Sequence, residues 1–301
     1  MTAGTEALRT PVRWPAEAIW LAVAPRLPGF TVEVLPLIDS TNSELMRRCR
    51  AASASATPVG PVPEPPQAIL LVAEQQSAGR GRLGRTWQSQ AGASLTFSLG
   101  LPLQPKDWSG LSLAVGLSLA ESLEPRPGPT PALQLKWPND LWLGRRKLGG
   151  VLVETASWGN QRYVVVGVGL NVTLPPQDFS AAPVAGSAID TAAWQPVAAS
   201  SLQALWPGVD ACWALETVAA PLVSAMLRFE REGFAPLQER FAARDALAGR
   251  AVKLSDGSEG LACGTGLQGA LRVQTPAGLQ EVSSLEVSVR PQTGQAPEAE
   301  R

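Results

Sequence analysis

The sequence predicts an α+β protein, a mixed β-sheet domain flanked by helices and followed by a small all-β module. Three patterns predict it. Leu95, Phe97, Leu99 and Leu101 alternate with small residues, the period of a half-buried strand. Leu222, Met226 and Phe229 step by four and three, as along one helix face. After Gly249, short apolar runs alternate with Gly, Asp and Ser turns, the mark of a β module of about 50 residues.

The elements follow in order. The segment before Asp39 is broken by Pro11, Pro15, Pro25, Pro28 and Pro36. Asp39-Ser40-Thr41-Asn42-Ser43 opens a helical stretch from Glu44 to Arg50, with Thr41 and Glu44 spaced as a capping box. Ala51 to Pro66 is Ala, Ser and Pro and reads as an exposed loop, because nothing in it offsets the entropy of ordering. Ala68 to Ala73 reads as a buried strand, and Leu111 to Leu123 as a helix. Leu133, Leu135 and Trp137 alternate into a strand that Pro138 stops. Strands at Leu141–Leu143 and Leu148–Val153 flank the basic turn Gly144-Arg145-Arg146-Lys147. Tyr163 to Val172 is β-branched, interrupted by Gly167 and Gly169, where a backbone or ligand approaches closely. Residues 175–210 read as a second long loop, and Phe241 lies on a later helical stretch. The β module has candidate strands at Ala251–Leu254, Gly260–Cys263, Ala270–Val273 and Leu285–Val289.

Composition narrows the chemistry. The 301 residues carry a net charge of −1, so there is no global basic field for nucleic acid. The chain has no histidine, which excludes Ser-His-Asp and Cys-His catalysis and His-ligated metals. Cys49, Cys212 and Cys263 lie far apart, which argues against a disulfide framework or zinc knot and fits a reducing compartment. The most apolar run, Leu111 to Ala120, is about half of the ~20 residues a bilayer needs, and no signal pattern opens the chain. A soluble, cytoplasmic protein without membrane contact is expected.

Gly79-Arg80-Gly81-Arg82-Leu83-Gly84-Arg85 formally satisfies the dinucleotide fingerprint, but Thr86 to Ala93 shows no helical period to follow it. It is not a P-loop either. Glycines that let backbone approach a ligand, interleaved with guanidiniums that bind phosphate or carboxylate, describe a basic, hinged loop. The bland alternative is a basic surface turn. Lys136-Trp137-Pro138-Asn139-Asp140, then Lys147-Leu148-Gly149-Gly150, holds two of only four lysines among 25 basic residues. A compact ammonium bridges two anionic oxygens where a planar fork does not fit, although a solvated hairpin tip would look alike. The Ser-Thr-Asn corner at 40–42 is a helix cap on its simplest reading, and a set of donors and acceptors for a polar head group on its functional one.

Taken together and in this order, Asp39–Asn42, Glu74–Arg85, Lys136–Asp140, Lys147–Gly150 and Gly167–Asn171 resemble the biotin–protein ligase family, over roughly Asp39 to Arg290. The resemblance implies a catalytic domain of the class II aminoacyl-tRNA synthetase/biotin ligase type at 39–246. It also implies an SH3-like β-barrel at 247–292, an N-terminal extension at 1–38 and a tail at 293–301. It implies a reaction in two steps: ATP with Mg²⁺ converts biotin to biotinyl-5′-AMP, and a lysine of a biotin carboxyl carrier protein then takes the biotinyl group. By position, Ser40, Thr41, Asn42 and Gln76 would bind biotin together with Gly150. Arg80, Gly81 and Arg82 would form the loop that closes over it. Lys147, with Arg80 and Arg82, would be catalytic, with Lys147 set between carboxylate and α-phosphate. Arg82, Arg85, Trp87, Asn139, Asp140, Lys147, Asn171 and Arg290 would face the nucleotide. No metal cage of protein ligands is expected. Some members carry a helix-turn-helix, for which the proline-broken segment before Asp39 leaves little room, so a ligase without DNA binding is expected, as monomer or homodimer. A lipoate or octanoyl ligase of the same fold and a biotin-responsive regulator are the competing readings.

Overall fold

The computed structural model describes residues 12–54, 66–158, 161–174, 198–254, 256–283 and 289–291. Strands β1 (Thr31–Ile38), β2 (Ile69–Gln76), β3 (Ser94–Pro102), β4 (Leu133–Lys136), β5 (Asp140–Leu143), β6 (Arg146–Trp158) and β7 (Gln161–Asn171) form one sheet, in the order β1-β2-β3-β7-β6-β5-β4. β1 and β2 are parallel, joined across helix α2 (Thr41–Ala54); all other neighbours are antiparallel. The mixed sheet is the one the sequence predicts.

The two faces of this sheet differ in chemistry because side chains alternate along each strand. One face presents Leu70 and Val72, then Leu95, Phe97, Leu99 and Leu101, then Val164, Val166, Val168 and Leu170. Helices α3 (Leu111–Leu123) and α4 (Ala211–Glu232) cover it, with α1 (Ala16–Val23) packed on α4. Each such side chain, fully buried, contributes roughly 1.5–3 kcal/mol, so this face holds the main core. By length and composition α4 could cross a membrane. However, its Leu215, Val218, Leu222, Met226 and Phe229 are all buried in that core, beneath α3 and beside β3.

The opposite face is apolar only at one end, where Leu45, Met46 and Cys49 of α2 meet Ile69, Leu71, Tyr163 and Val165. Towards the other end the residues become Thr96 and Ser98 on β3, Gly167 and Gly169 on β7, Gly150 on β6 and Asp140 on β5. A sheet face stripped of side chains is a floor for something else.

Strands β8 (Ala251–Leu254), β9 (Glu259–Thr265), β10 (Leu271–Thr275), β11 (Gly278–Val282) and β12 (Val289–Pro291) form a second, antiparallel sheet, β11-β10-β9-β8-β12, consistent with an SH3-like module. Its Val252, Ala262, Leu271 and Val273 join the main core. The segment after α5 (Gln238–Ala242) seats it: Leu135 N donates to Arg244 O, Ala246 N donates to Leu135 O, and buried Arg244 pairs with buried Glu124 at 2.6 Å.

Asp245, in the same joint, accepts from Leu247 N through Oδ1, while Oδ2 is buried without a partner. Burial pushes its carboxyl up to about 6. A folded-state value above the ordinary one means that the stabilising, protonated form is fully present below about pH 4 and is lost as pH rises through about 6. Ionised Asp245 therefore costs up to about 3 kcal/mol at pH 8. Asp245→Asn is expected to raise Tm at pH 8 and to converge with the parent near pH 4. A Tm gap unchanged between these two pH values would contradict this origin.

Two expectations change. Residue 38 is not a domain edge, because β1 pairs along its length with β2 and α1 packs on α4, making the segment from Ala16 part of the sheet domain. Pro36 is tolerated in β1 because that strand lies at the sheet edge. The capping box at Thr41 and Glu44 does not form. Ser40 caps α2 instead, with Oγ 3.4 Å from Ser43 N, and Glu44 turns outward to Arg47 and Arg48. This frees the Thr41 hydroxyl to face inward.

Candidate active site

The site occupies the stripped face, and its halves are built differently. At the polar corner, Ser98 Oγ lies 2.7 Å from Thr41 Oγ1 and 2.6 Å from Asn42 Oδ1. Gln76 Oε1 accepts from Thr41 N at 2.8 Å. Asn42 Nδ2 donates to Glu154 Oε2 at 3.0 Å, which fixes the orientation of the amide. Room for Asn42 comes from Gly167, where a Cβ would fall 2.1 Å from Asn42 Oδ1. Ser40, Thr41 and Asn42 are all buried, Ser40 as the cap and the other two as site groups.

The cationic half is organised by a β-bulge. Leu141 pairs with Gly149 but Trp142 pairs with Lys147, so Leu148 is an extra residue on β6. Regular alternation would send Lys147 to the core face. The bulge instead puts Leu148 into the core and returns Lys147 to the face of Gly150, where Lys147 Nζ bonds Asp140 Oδ1 at 2.7 Å. The backbone of Lys147 is held on its outer side as well: its N–H donates to Ala198 O and its carbonyl accepts from Ser200 N. Asn171 Nδ2 donates to Ser200 O at 3.0 Å and lies 3.5 Å from Lys147 O, so Asn171 braces this segment. Gly149 must be glycine, since a Cβ there would fall 2.3 Å from Gly169 O. A Cβ at Gly150 would sit 3.6 Å from Lys147 Nζ, in the space the ammonium faces.

Between the halves, the ring of Trp87 lies on Gly169, where a Cβ would meet it at 2.4 Å. Its buried Nε1 has no partner. The Gly-Arg loop forms a closed hairpin, with Arg80 bridged to Thr86, Gly81 N donating to Arg85 O, and a single 3₁₀ turn at Arg82–Gly84. No helix follows, which disposes of the dinucleotide reading. Leu83 is exposed at φ 56°, a strained value for a side-chain-bearing residue and one suited to a loop that moves. A cleft of about 190 Å³ opens in the loop itself, lined by Arg80, Gly81, Gly84 and Arg85 among others.

The two loop arginines divide the site between them. Arg80 reaches the polar corner and pairs with Glu154 at 3.0 Å. Arg82 points to the other half, with Nη1 3.4 Å from Asn139 Oδ1 and Asp140 close enough to attract it. Burial lowers the Arg82 guanidinium from its ordinary value, as expected for a cation held against protein rather than water. Lys136, on the same face, is pushed down to about 8, chiefly by burial. Arg290 lies in β12 opposite Lys253, and its side chain is outside the described residues.

Ser98, Glu154, Gly167 and Gly169 belong to the site and were not among the residues singled out as binding groups. A signal existed for three of them: Ser98 is a polar residue in an apolar alternation, and Gly167 and Gly169 interrupt a β-branched run. Glu154 had none, because only folding brings it to Asn42, 112 residues away.

Residues 60–171 match the family model described as the biotin/lipoate A/B protein ligase family. The bifunctional ligase/repressor BirA of Escherichia coli is 34% identical over 275 residues, which covers 88% of this chain and 76% of that protein. The biotin–[acetyl-CoA-carboxylase] ligase of Paracoccus denitrificans is 31% identical, covering 84% of this chain and 98% of its own length. The chain belongs to the biotin–protein ligase family. The solved biotin protein ligase from Aquifex aeolicus, in complex with biotin and ATP, superposes with a TM-score of 0.64 at 27% identity, over 87% of this chain and 99% of that one. The family fold expected from the sequence is therefore the fold observed, and the bulged lysine, loop and corner are parts of a ligase.

Proposed function

We propose that this chain activates biotin with ATP to biotinyl-5′-AMP and transfers the biotinyl group to a lysine of a biotin carboxyl carrier protein. One observation carries the reading: a single hinged loop touches both halves of one site, Arg80 at the neutral hydrogen-bonding corner and Arg82 at the cationic end. The halves lie on one sheet face, the corner at β2 and β3 and the cationic end at β5 and β6. That suits a substrate with a ureido ring at one end and a carboxylate that must meet a phosphate at the other.

Asn42, Ser98, Thr41 and Gln76 supply the donors and acceptors for the ureido ring. The valerate tail runs along the same face towards Gly150, past Asn42 above Gly167 and Trp87 above Gly169. In the first step a carboxylate oxygen attacks the α-phosphorus of ATP and the bond to pyrophosphate breaks. Lys147 bridges the entering carboxylate and the phosphoryl oxygens, while Arg82 and Arg85 close on the charge that develops. Trp87 offers its ring to the nucleoside. In the second step the carrier amine attacks the acyl carbon and AMP leaves, with Lys147 again beside the departing phosphate. The closed loop keeps water from the mixed anhydride between the steps.

The site suits a magnesium ion held mainly by phosphates and water. Among the described residues no three acidic, His or Cys groups cluster as a cage, and Asp140 with the Asn139 carbonyl is the oxygen set beside the phosphate-facing cations. These two would hold the ion, whose charge offsets that of the phosphates.

The reading places the chain in the cytoplasm, where carriers and ATP occur together. Among the described residues before Ser40 there is one helix and one strand. Incubation with ATP, Mg²⁺, biotin and an apo carrier domain is expected to add one biotinyl mass to the carrier lysine. Labelling with lipoate in preference to biotin would favour the competing acyl ligase.

The glycine floor supplies a further check. Gly169→Ala displaces Trp87 and is expected to raise the KM for ATP about tenfold while sparing biotin. Gly167→Ala displaces Asn42 and is expected to do the reverse. Equal losses for both ligands in both variants would contradict the division of the site.

A further inference from the structure

Glu154 takes part in two networks at once. It follows Gly150 and Leu152 at intervals of two along β6, which puts its carboxylate on the face that carries the site. Its Oε2 accepts from Asn42 Nδ2 at 3.0 Å, which settles the side of that amide the corner presents. The same carboxylate takes both prongs of Arg80, with Nη2 3.0 Å from Oε1 and Nη1 donating to Oε2 at 3.1 Å. Ion pairs with a half-exposed partner usually add little to stability, but a two-pronged guanidinium–carboxylate contact is the exception. The lid and the recognition residue thus share one anion.

With the loop lifted, Glu154 would keep the Asn42 amide and lose this guanidinium. A carboxylate whose side chain is only 21% exposed would then turn towards water and let the amide go. With the loop down, Asn42 keeps Nδ2 on Glu154 and Oδ1 towards Ser98, and that oxygen has a second lone pair for a ureido N–H. We propose that Glu154 is a positioning residue that latches the loop through Arg80 and couples it to Asn42, so that closure and head-group binding strengthen each other. The coupling is reciprocal: the factor by which biotin favours the closed loop is the factor by which closure favours biotin. The inference rests on the ligase reading, which supplies biotin as the ligand.

The test uses the whole chain and two readings. One is the Kd for biotin, and the other is the protection that saturating biotin gives against trypsin cleavage after Arg82 and Arg85. Glu154→Gln keeps an oxygen for the Asn42 amide and removes the charge that holds Arg80. It is expected to raise the Kd for biotin about tenfold and to cut the protection to less than about twofold, with the KM for ATP within about twofold of the parent. Arg80→Gln is expected to do the same. Combining the two should cost no more than about twofold beyond either alone, because both remove one contact. A carboxylate that served only to hold Asn42 would leave Glu154→Gln close to the parent in both readings, and that result overturns the proposal. So does a double variant whose losses multiply, or a parent loop cut at one rate with and without biotin. A parent chain that binds no biotin overturns the ligase reading itself, and the latch with it.

Discussion

Lys147→Met loses biotin-dependent ATP–pyrophosphate exchange by about 10²–10³-fold, with its melting temperature close to that of the parent. The size follows from the role proposed for the ammonium, which is to bridge the two reacting groups: removing a charge-stabilising donor of this kind costs about 10²–10³ in rate. Stability is spared because the bulge that presents Lys147 is held by main-chain bonds to Ala198 and Ser200 and by the burial of Leu148, none of which needs the side chain. The Asp140 carboxylate loses its partner, but it lies beside Lys136 and near Arg82. Exchange in Lys147→Met within about tenfold of the parent would remove the central role assigned here.

Arg82→Gly releases the adenylate. The loop hairpin crosses the site, and its inward guanidinium against Asn139 is the contact that closes the cationic end. Without it, biotinyl-5′-AMP escapes and acylates exposed lysines at large. Added bovine albumin should then become biotinylated, and free adenylate should accumulate in the medium. Arg80→Gly is the informative comparison. The sequence offers Arg80 and Arg82 equally, but the structure turns Arg80 to half-exposed contact with Glu154, so its loss is expected to weaken biotin binding more than adenylate retention. Confinement of label to the carrier in Arg82→Gly would show that some other element retains the intermediate.

The extent to which this site was legible follows the physical range of each signal. Lys147, Asp140 and Arg82 are polar residues in short, unusual motifs, and those residues do meet. Strand β3 was legible because large apolar and small residues alternate along it, and β7 and helix α3 because each is a continuous apolar run, buried almost throughout. The orientation of Lys147 was not legible, because alternation alone sends it the wrong way and only the register slip at Leu148 returns it. Asn171, expected at the nucleotide, also braces the chain at Ser200, a contact across 29 residues that local pattern does not encode. α1 and β1 were obscured by prolines. Pro36 sits at a sheet edge, where its missing donor costs nothing, so the breaker signal was real and its consequence was not. Expectations for residues 175–197 and for the Arg290 side chain fall outside the described residues.

All of this converges on one placement: a phosphate between Lys147 and Arg82, with a ureido ring against Asn42. A crystal structure with a non-hydrolysable biotinyl-adenylate analogue measures it directly. The account predicts Lys147 Nζ off Asp140 and within about 3 Å of an oxygen at the acyl–phosphate linkage, the ring bonded to Asn42 and Ser98, and Arg82 folded inward over both. An analogue bound with its linkage beyond about 4 Å of Lys147, or with its ring away from the Ser-Thr-Asn corner, would contradict it.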